Sequence, residues 1–272
     1  MTFQSFSKNG KILPIDQAMI SLEDIEYQYG FGVYETIKIK NKKAIFIDDH
    51  IERLLKSAHI IHLEHIFDKD NLQKYVSELI DAIGADTFNL KLLLIGAKEK
   101  EKANLYILPF SPLFPDKKWY KTGVALIAKE CERAYPTAKS LDMLQSYILY
   151  SMAIKADCYD CLLINKDGKI TEGTRTNFFV IKNKTIFIPP IDSILFGVTM
   201  KWVLHVAKAN GYMVEERSVA PAEFDLYDGA FITSTSSKIL PVKKVNDFEF
   251  TQIPSTVHEL LDSYDQFLSS SV

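Results

Sequence analysis

The hydrophobic pattern of this chain switches repeatedly between a period of two residues and one of about 3.6, which restricts the fold to a mixture of strands and helices. In Val33-Tyr34-Glu35-Thr36-Ile37-Lys38-Ile39-Lys40 the residues Val33, Ile37 and Ile39 share one face, interrupted by Glu35, so the run reads as a half-buried strand. Asn41-Lys42-Lys43 forms a turn into Ala44-Ile45-Phe46-Ile47. Asp48 or Asp49 is then placed to cap a helix whose apolar positions are Ile51, Leu54, Leu55 and Ala58. A second amphipathic helix is expected near Asn71 to Ile83, followed by apolar strands at Leu90–Ile95 and Asn104–Leu108.

Two prolines and mixed charge in Ser111-Pro112-Leu113-Phe114-Pro115-Asp116-Lys117-Lys118 mark a boundary. Beyond it the pattern gives a strand at Val124–Ala128, a helix at Leu144–Ala156, and a buried strand Cys161–Ile164 closed by the turn Asn165-Lys166-Asp167-Gly168. A hairpin follows from Phe178 to Ile188, then a helix from Val198 to Asn210 ended by Gly211, and an apolar strand Ala230–Thr233. The last 20 residues read as a polar-faced helix. There is no internal repeat. The expectation is therefore an α+β, two-lobed α/β protein: a small N-terminal domain over 1–112, a linker over 113–121, and a larger C-terminal domain over 122–272.

With 272 residues, 47% of them hydrophobic, the chain can bury a full core. Its 32 basic and 35 acidic side chains are interspersed, without the basic stripe that nucleic acid or a membrane surface would require. Small molecules are the expected partners. No basic region precedes an apolar run at the N-terminus, and no apolar stretch is long enough to span a bilayer, which points to the cytoplasm. Three cysteines, Cys131, Cys158 and Cys161, make no disulfide framework and read as free thiols.

Most chemical motifs are absent. The sequence holds no P-loop and no Gly-x-Ser-x-Gly elbow, and Gly30-Phe31-Gly32 lacks the third glycine of a dinucleotide fingerprint. Cys158 and Cys161 have metal spacing but no second cysteine pair. His59, His62 and His65 lack a carboxylate motif, so no metal is expected.

Three segments carry a positive signal. They are Gly32-Val33-Tyr34-Glu35-Thr36 with Asp49-His50-Ile51-Glu52-Arg53-Leu54; Ala138-Lys139-Ser140-Leu141-Asp142-Met143-Leu144 with Asn165 through Phe179; and Ile194-Leu195-Phe196-Gly197-Val198-Thr199 with Phe231 through Val242. In sequence and in order they resemble the class IV aminotransferases, the pyridoxal-phosphate family of branched-chain and D-amino-acid transaminases and aminodeoxychorismate lyases. The resemblance implies the fold of the D-amino-acid aminotransferases, with the cofactor pyridoxal 5'-phosphate in a cleft between lobes. Lys139 stands at the family's Schiff-base lysine and Glu172 at the carboxylate that keeps the pyridine nitrogen protonated. Arg53, Val198, Thr199 and Thr235 stand at phosphate-binding positions, suited by a planar guanidinium fork and by a helix N-terminus. Tyr34 and the amides of Ser236 and Ser237 would face the substrate.

The resemblance further implies a transaminase acting on an amino acid, branched-chain or otherwise apolar and of the L series, and a 2-oxo acid. A homodimer is implied as well. Aminodeoxychorismate lyase activity and a non-catalytic binding protein of the same fold are the alternatives. Against D-amino-acid specificity, the strand ending Leu94-Ile95-Gly96 lacks the arginine, and Ala97-Lys98-Glu99 the histidine, that hold the α-carboxylate in D-specific relatives. The usual asparagine after the lysine is Asp142, and Met143 replaces a tyrosine of branched-chain enzymes. Glu35 stands where lyases tend to carry threonine, which favours transamination.

Overall fold

Strand pairing organises the chain into two sheets, each with its own core. The computed structural model describes residues 3–270. These fall into two units: one runs through Leu113 and also holds Ala138–Met143, and the other holds Phe114–Thr137 and Leu144 onward.

The first unit contains β1 (Ser5–Lys8), β2 (Lys11–Pro14), α1 (Ile25–Gln28), β3 (Gly32–Lys40), β4 (Lys43–Ala44), α2 (Ile47–Ile60), α3 (Lys69–Ile83), β5 (Phe88–Ile95) and β6 (Asn104–Phe110). Its strands form one antiparallel sheet in the order β2-β1-β6-β5-β3-β4. Residues of α2 and α3, among them Ile51, Leu54, Leu72 and Val76, pack with Ile37, Ile39, Leu90 and Leu92 of the sheet. Each such side chain contributes about 1.5–3 kcal/mol on burial. A smaller cluster of Phe6, Ile95 and Tyr106 gathers Leu93, Leu108 and Leu141.

Two local details differ from the sequence reading. Strand β4 ends at Ala44 because Phe46 turns left-handed (φ 54) and itself precedes α2, without a side-chain cap. Asp48 and Asp49 lie inside the first turn, where their charge favours the positive helix end. Helix α3 starts at Lys69, two residues before the expected point, because the Asp68 carboxylate accepts from Asn71 N at 2.8 Å.

The second unit contains α4 (Trp119–Thr122), β7 (Val124–Glu130), α5 (Leu144–Lys155), β8 (Asp160–Ile164), β9 (Ile170–Gly173), β10 (Asn177–Lys182), β11 (Thr185–Ile188), α6 (Val198–Ala209), β12 (Met213–Glu216), β13 (Gly229–Ser234), β14 (Lys238–Val245), β15 (Phe248–Glu249) and α7 (Ser255–Ser270). The main path is β12-β11-β10-β13-β14-β7-β8-β9, and β9 pairs again with β10. The stretch from β10 round to β9 therefore closes on itself, leaving neither of those strands with an open edge. One core of this unit is built from Leu126, Leu162, Phe178, Val180, Phe224 and Leu240; another joins Phe179, Ile181 and Phe231 to α6 and α7. Among the described residues no helix is long and apolar enough to cross a membrane.

Candidate active site

Lys139 belongs to the first unit. Val33 and Ser140 form an isolated antiparallel bridge, and Tyr34 N donates to Lys139 O at 2.9 Å while Leu141 N donates to Gly32 O at 2.8 Å. These bonds attach Ala138–Met143 to the start of β3, whereas a division by chain order would leave that segment with the C-terminal part. On its other side Lys139 N donates to Ser57 Oγ at 3.0 Å, and Ser57 Oγ donates to Arg53 O at 2.7 Å. The backbone is held from both directions, and the Lys139 amine lies 4.5 Å from the centre of the Tyr34 ring. The Tyr34 hydroxyl donates to Met143 Sδ at 3.5 Å, so the methionine that replaces a family tyrosine touches the expected substrate residue.

The Glu35 that interrupts the alternation of β3 is fully buried, on the same side as Ile37 and Ile39. An isolated carboxylate there would be prohibitively costly, and three donors compensate it. Arg53 Nε reaches Oε1 at 2.6 Å, Arg53 Nη2 reaches Oε2 at 2.8 Å, and His50 Nδ1 lies 2.7 Å from Oε2. Burial would raise the Glu35 carboxyl, but the Arg53 charge, the His50 ring and their hydrogen bonds together hold it well below the usual range. Burial likewise pulls His50 down, against the opposing pull of Glu35. A neutral imidazole beside an ionised carboxylate must carry its proton on Nδ1 and donate it. Arg53 is thus mostly buried and held side-on by a core carboxylate, unlike an arginine decorating a helix surface.

Glu172 lies where the second unit's strands close: it pairs with Asn177 of β10, which in turn pairs with Thr233 of β13. Its Oε1 accepts from Arg133 Nη1 at 2.7 Å and its Oε2 from Leu195 N at 3.2 Å, so the carboxylate is fixed by a charge and by the backbone. Behind it, buried Asp160 accepts from the hydroxyls of Thr174 and Thr176 and from Cys161 N and Arg175 N. That set of bonds shapes the turn between β9 and β10.

Val198 and Thr199 open α6, whose N-cap Gly197 brings no side-chain hydrogen bond. The first N–H groups of such a helix and its positive end suit an anion. A Cβ on Gly197 would come within 2.1 Å of Asn177 Oδ1, so glycine lets this turn approach β10. Asn177 Nδ2 completes the join by donating to Leu195 O at 2.7 Å. Thr235 and Ser236 sit half-buried in the turn between β13 and β14, near Thr233, whose hydroxyl is buried with no hydrogen-bond partner among the described residues. Ser237 N, expected to face a substrate, donates to Ser234 Oγ at 3.1 Å, and Tyr120 OH donates to Ser237 O at 3.1 Å.

The first unit thus brings together Tyr34, Arg53 and Lys139. In the second, Glu172 is joined through Asn177 and Leu195 to the turn that opens α6 at Val198 and Thr199. Sequence reasoning gave no role to His50, Ser57, Arg133, Asp160 or Asn177, and weighed Glu35 only as a difference from lyases. The one available signal was a charge on the apolar face of β3. The first unit offers an amine and a guanidinium, and the second a fixed carboxylate, a helix start and a buried hydroxyl, each a kind of group that suits part of a phosphorylated pyridine aldehyde.

Comparisons with known proteins agree with this chemistry. The family model for amino-transferase class IV matches residues 32–245. A D-alanine aminotransferase of Bacillus licheniformis is 31% identical over 249 residues, covering 88% of this chain and 87% of the relative. A probable branched-chain-amino-acid aminotransferase of Thermotoga maritima is 28% identical over 275 residues, covering 95% and 94%. Among solved structures, the branched-chain amino acid aminotransferase of Escherichia coli superposes with a TM-score of 0.89 at 20% identity, over 97% of this chain and 94% of that one; that likeness establishes the α+β fold.

Proposed function

Since the chain belongs to the class IV aminotransferase family, whose cofactor is pyridoxal 5'-phosphate, we propose that it exchanges an amino group between an amino acid and a 2-oxo acid at Lys139. The observation that carries this reading is the double anchoring of the Lys139 backbone, by Tyr34 and by Ser57, with its amine beside the Tyr34 ring. When bound, the cofactor supplies an aldehyde for imine formation and a ring that takes up electrons from the substrate Cα.

The residues divide the remaining work. Arg53, the start of α6 at Val198 and Thr199, and Thr235 would hold the phosphate, and Glu172 would keep a proton on the pyridine nitrogen. Lys139 Nζ would take the proton from the substrate Cα, and water would release the donor as a 2-oxo acid; with a 2-oxo acid as acceptor the same group would act in the reverse direction. Tyr34 and the amides of Ser236 and Ser237 would line the substrate, Ser237 N donating to Ser234 Oγ in this structure.

A branched-chain or other apolar L-amino acid is the substrate class we favour. Tyr34 pairs across the sheet with Leu93, which clusters with Ile95 and Leu141, and Met143 touches the Tyr34 hydroxyl. A homodimer is supported by α5, which leaves Leu144, Tyr147, Ile148 and Ile154 exposed.

Borohydride treatment of the cofactor-loaded protein, followed by peptide mass analysis, should place the reduced adduct on Lys139; an adduct on another lysine overturns the assignment. Initial rates with L- and D-amino acids against 2-oxoglutarate and pyruvate decide the substrate, and a preference for D-alanine would replace the L-apolar reading. Light scattering that gave a fully active monomer would overturn the dimer.

A further inference from the structure

We infer that Glu35, braced by His50, is a positioning residue that fixes the Arg53 guanidinium for the cofactor phosphate and so sets the preference for phosphorylated over unphosphorylated pyridoxal. The inference rests on the proposed phosphate role of Arg53 and concerns the two residues beneath it, which by that reading touch neither cofactor nor substrate.

A guanidinium presents two usable edges. Glu35 takes the side-on one, with Nε at 2.6 Å and Nη2 at 2.8 Å, and this bidentate pairing fixes the plane of the group as well as its place. A phosphate reaching the group would meet a guanidinium plane already oriented, with less rotamer freedom left to lose. His50 holds the carboxylate in turn: its ring donates to Glu35 Oε2 at 2.7 Å, and its own N–H bonds to Phe46 O at 3.2 Å at the start of α2. Thr36 N adds a weaker bond to the same Oε2 at 3.3 Å.

The device reaches further than the arginine. Arg53 O accepts from Ser57 Oγ, and that oxygen accepts from Lys139 N, so one turn of α2 joins the phosphate anchor to the backbone of the imine-forming lysine. A buried counter-ion serving only to neutralise Arg53 would not need to register this helix against β3 and the Lys139 segment together. The two ends of a cofactor, phosphate and aldehyde, would then be held by the two ends of one short hydrogen-bonded path.

The test compares two ligands on cofactor-free full-length protein: pyridoxal 5'-phosphate and pyridoxal, with Kd measured for the wild type and for Glu35→Gln. The expected result is a fall in the preference for the phosphorylated form on the order of ten- to a hundredfold, the scale at which partners of a ligating group act, with pyridoxal binding unchanged. Arg53→Ala should produce a comparable fall, and adding Glu35→Gln to it should cost no further preference, because the two act as one unit. Equal weakening of both ligands, or no change in the ratio, overturns the proposal. If Glu35→Gln does not fold, His50→Gln removes only the brace and is read by the same ratio; there a smaller fall supports the proposal and an unchanged ratio overturns it. A wild type that binds neither ligand is a different failure, since it refutes the pyridoxal-phosphate site itself.

Discussion

Arg53 lays one edge of its guanidinium along both carboxylate oxygens of Glu35, at 2.6 and 2.8 Å, on elements whose neighbouring residues Ile37, Ile39, Ile51 and Leu54 belong to the apolar core. The pair spans 18 residues of sequence and joins β3 to α2. A buried ion pair of this kind adds little net stability over an apolar pair, yet removing one member strands the other.

Stability should therefore respond to acid in two windows. Glu35 is held below its ordinary value in the folded protein and returns to about 4.3 on unfolding, so its contribution is present above that pH and is lost as pH falls below it. His50 is also depressed, so the unfolded chain takes up the proton first: the native state begins to lose ground below about 6.5. Glu35→Gln should remove the lower window and cost about 3–5 kcal/mol at neutral pH by leaving Arg53 buried without its counter-ion. Calorimetric Tm as a function of pH checks both; a variant as stable as the wild type at pH 7 contradicts the argument.

Gly197→Ala should damage the turn proposed to hold the phosphate without touching a charged group. The new Cβ would lie 2.1 Å from Asn177 Oδ1, and Asn177 cannot easily withdraw, because it bonds Leu195 O and pairs with both Glu172 and Thr233. Overpacking of this sort costs about 1–3 kcal/mol. The same shift should weaken retention of pyridoxal 5'-phosphate, measured by equilibrium dialysis. Since Gly197 has φ −66, an ordinary value for any residue, unchanged Tm and cofactor affinity would show that the turn simply relaxes.

Local periodicity made much of this fold legible, and its failures have local causes too. The alternation of β3 and the helical spacing of α2 were plain, but the partners of Glu35 lie 15 and 18 residues away, beyond any pattern confined to one element. Strand β14 was hidden by Pro241, which reads as a turn residue; it is tolerated because the pairing with β7 begins only at Val242, where a missing N–H no longer matters. The β1–β2 hairpin did carry a signal, Asn9-Gly10 with φ 50 and 82, and its strands were too short for periodicity to confirm it. Of the candidate site, Lys139 and Glu172 stand in sequence motifs, whereas Arg133, Asp160 and Asn177 act through contacts that only folding creates.

The three cysteines should differ sharply in reactivity. Cys161 is fully buried, and burial together with the Asp160 charge pushes its thiol up to about 12, while Cys131 and Cys158 are partly exposed and raised chiefly by burial. The thiolate is the reactive form, so at pH 8 a disulfide reagent should label Cys131 and Cys158 slowly and Cys161 only after unfolding. Counting released chromophore before and after adding guanidinium decides this. Rapid native labelling of all three would mean that β8 opens far more often than its pairing with β7 and β9 suggests.

Glu172→Gln keeps the shape of the side chain and removes its charge, which separates the electronic role of this residue from its packing. In the wild type both oxygens accept, one from Arg133 and one from Leu195 N; an amide must turn its NH2 toward one of those donors or toward the ring nitrogen. Cofactor affinity should change little, because the proposed phosphate contacts are other residues. The Cα proton step, in contrast, should slow by on the order of a hundredfold or more, the usual consequence of losing one preorganised charge at a reacting system. Single-turnover absorbance with a saturating amino acid isolates that step from binding. A rate within twofold of the wild type would mean that Glu172 is a structural partner of Arg133 at the closure of β9 on β10, and that another group faces the pyridine nitrogen.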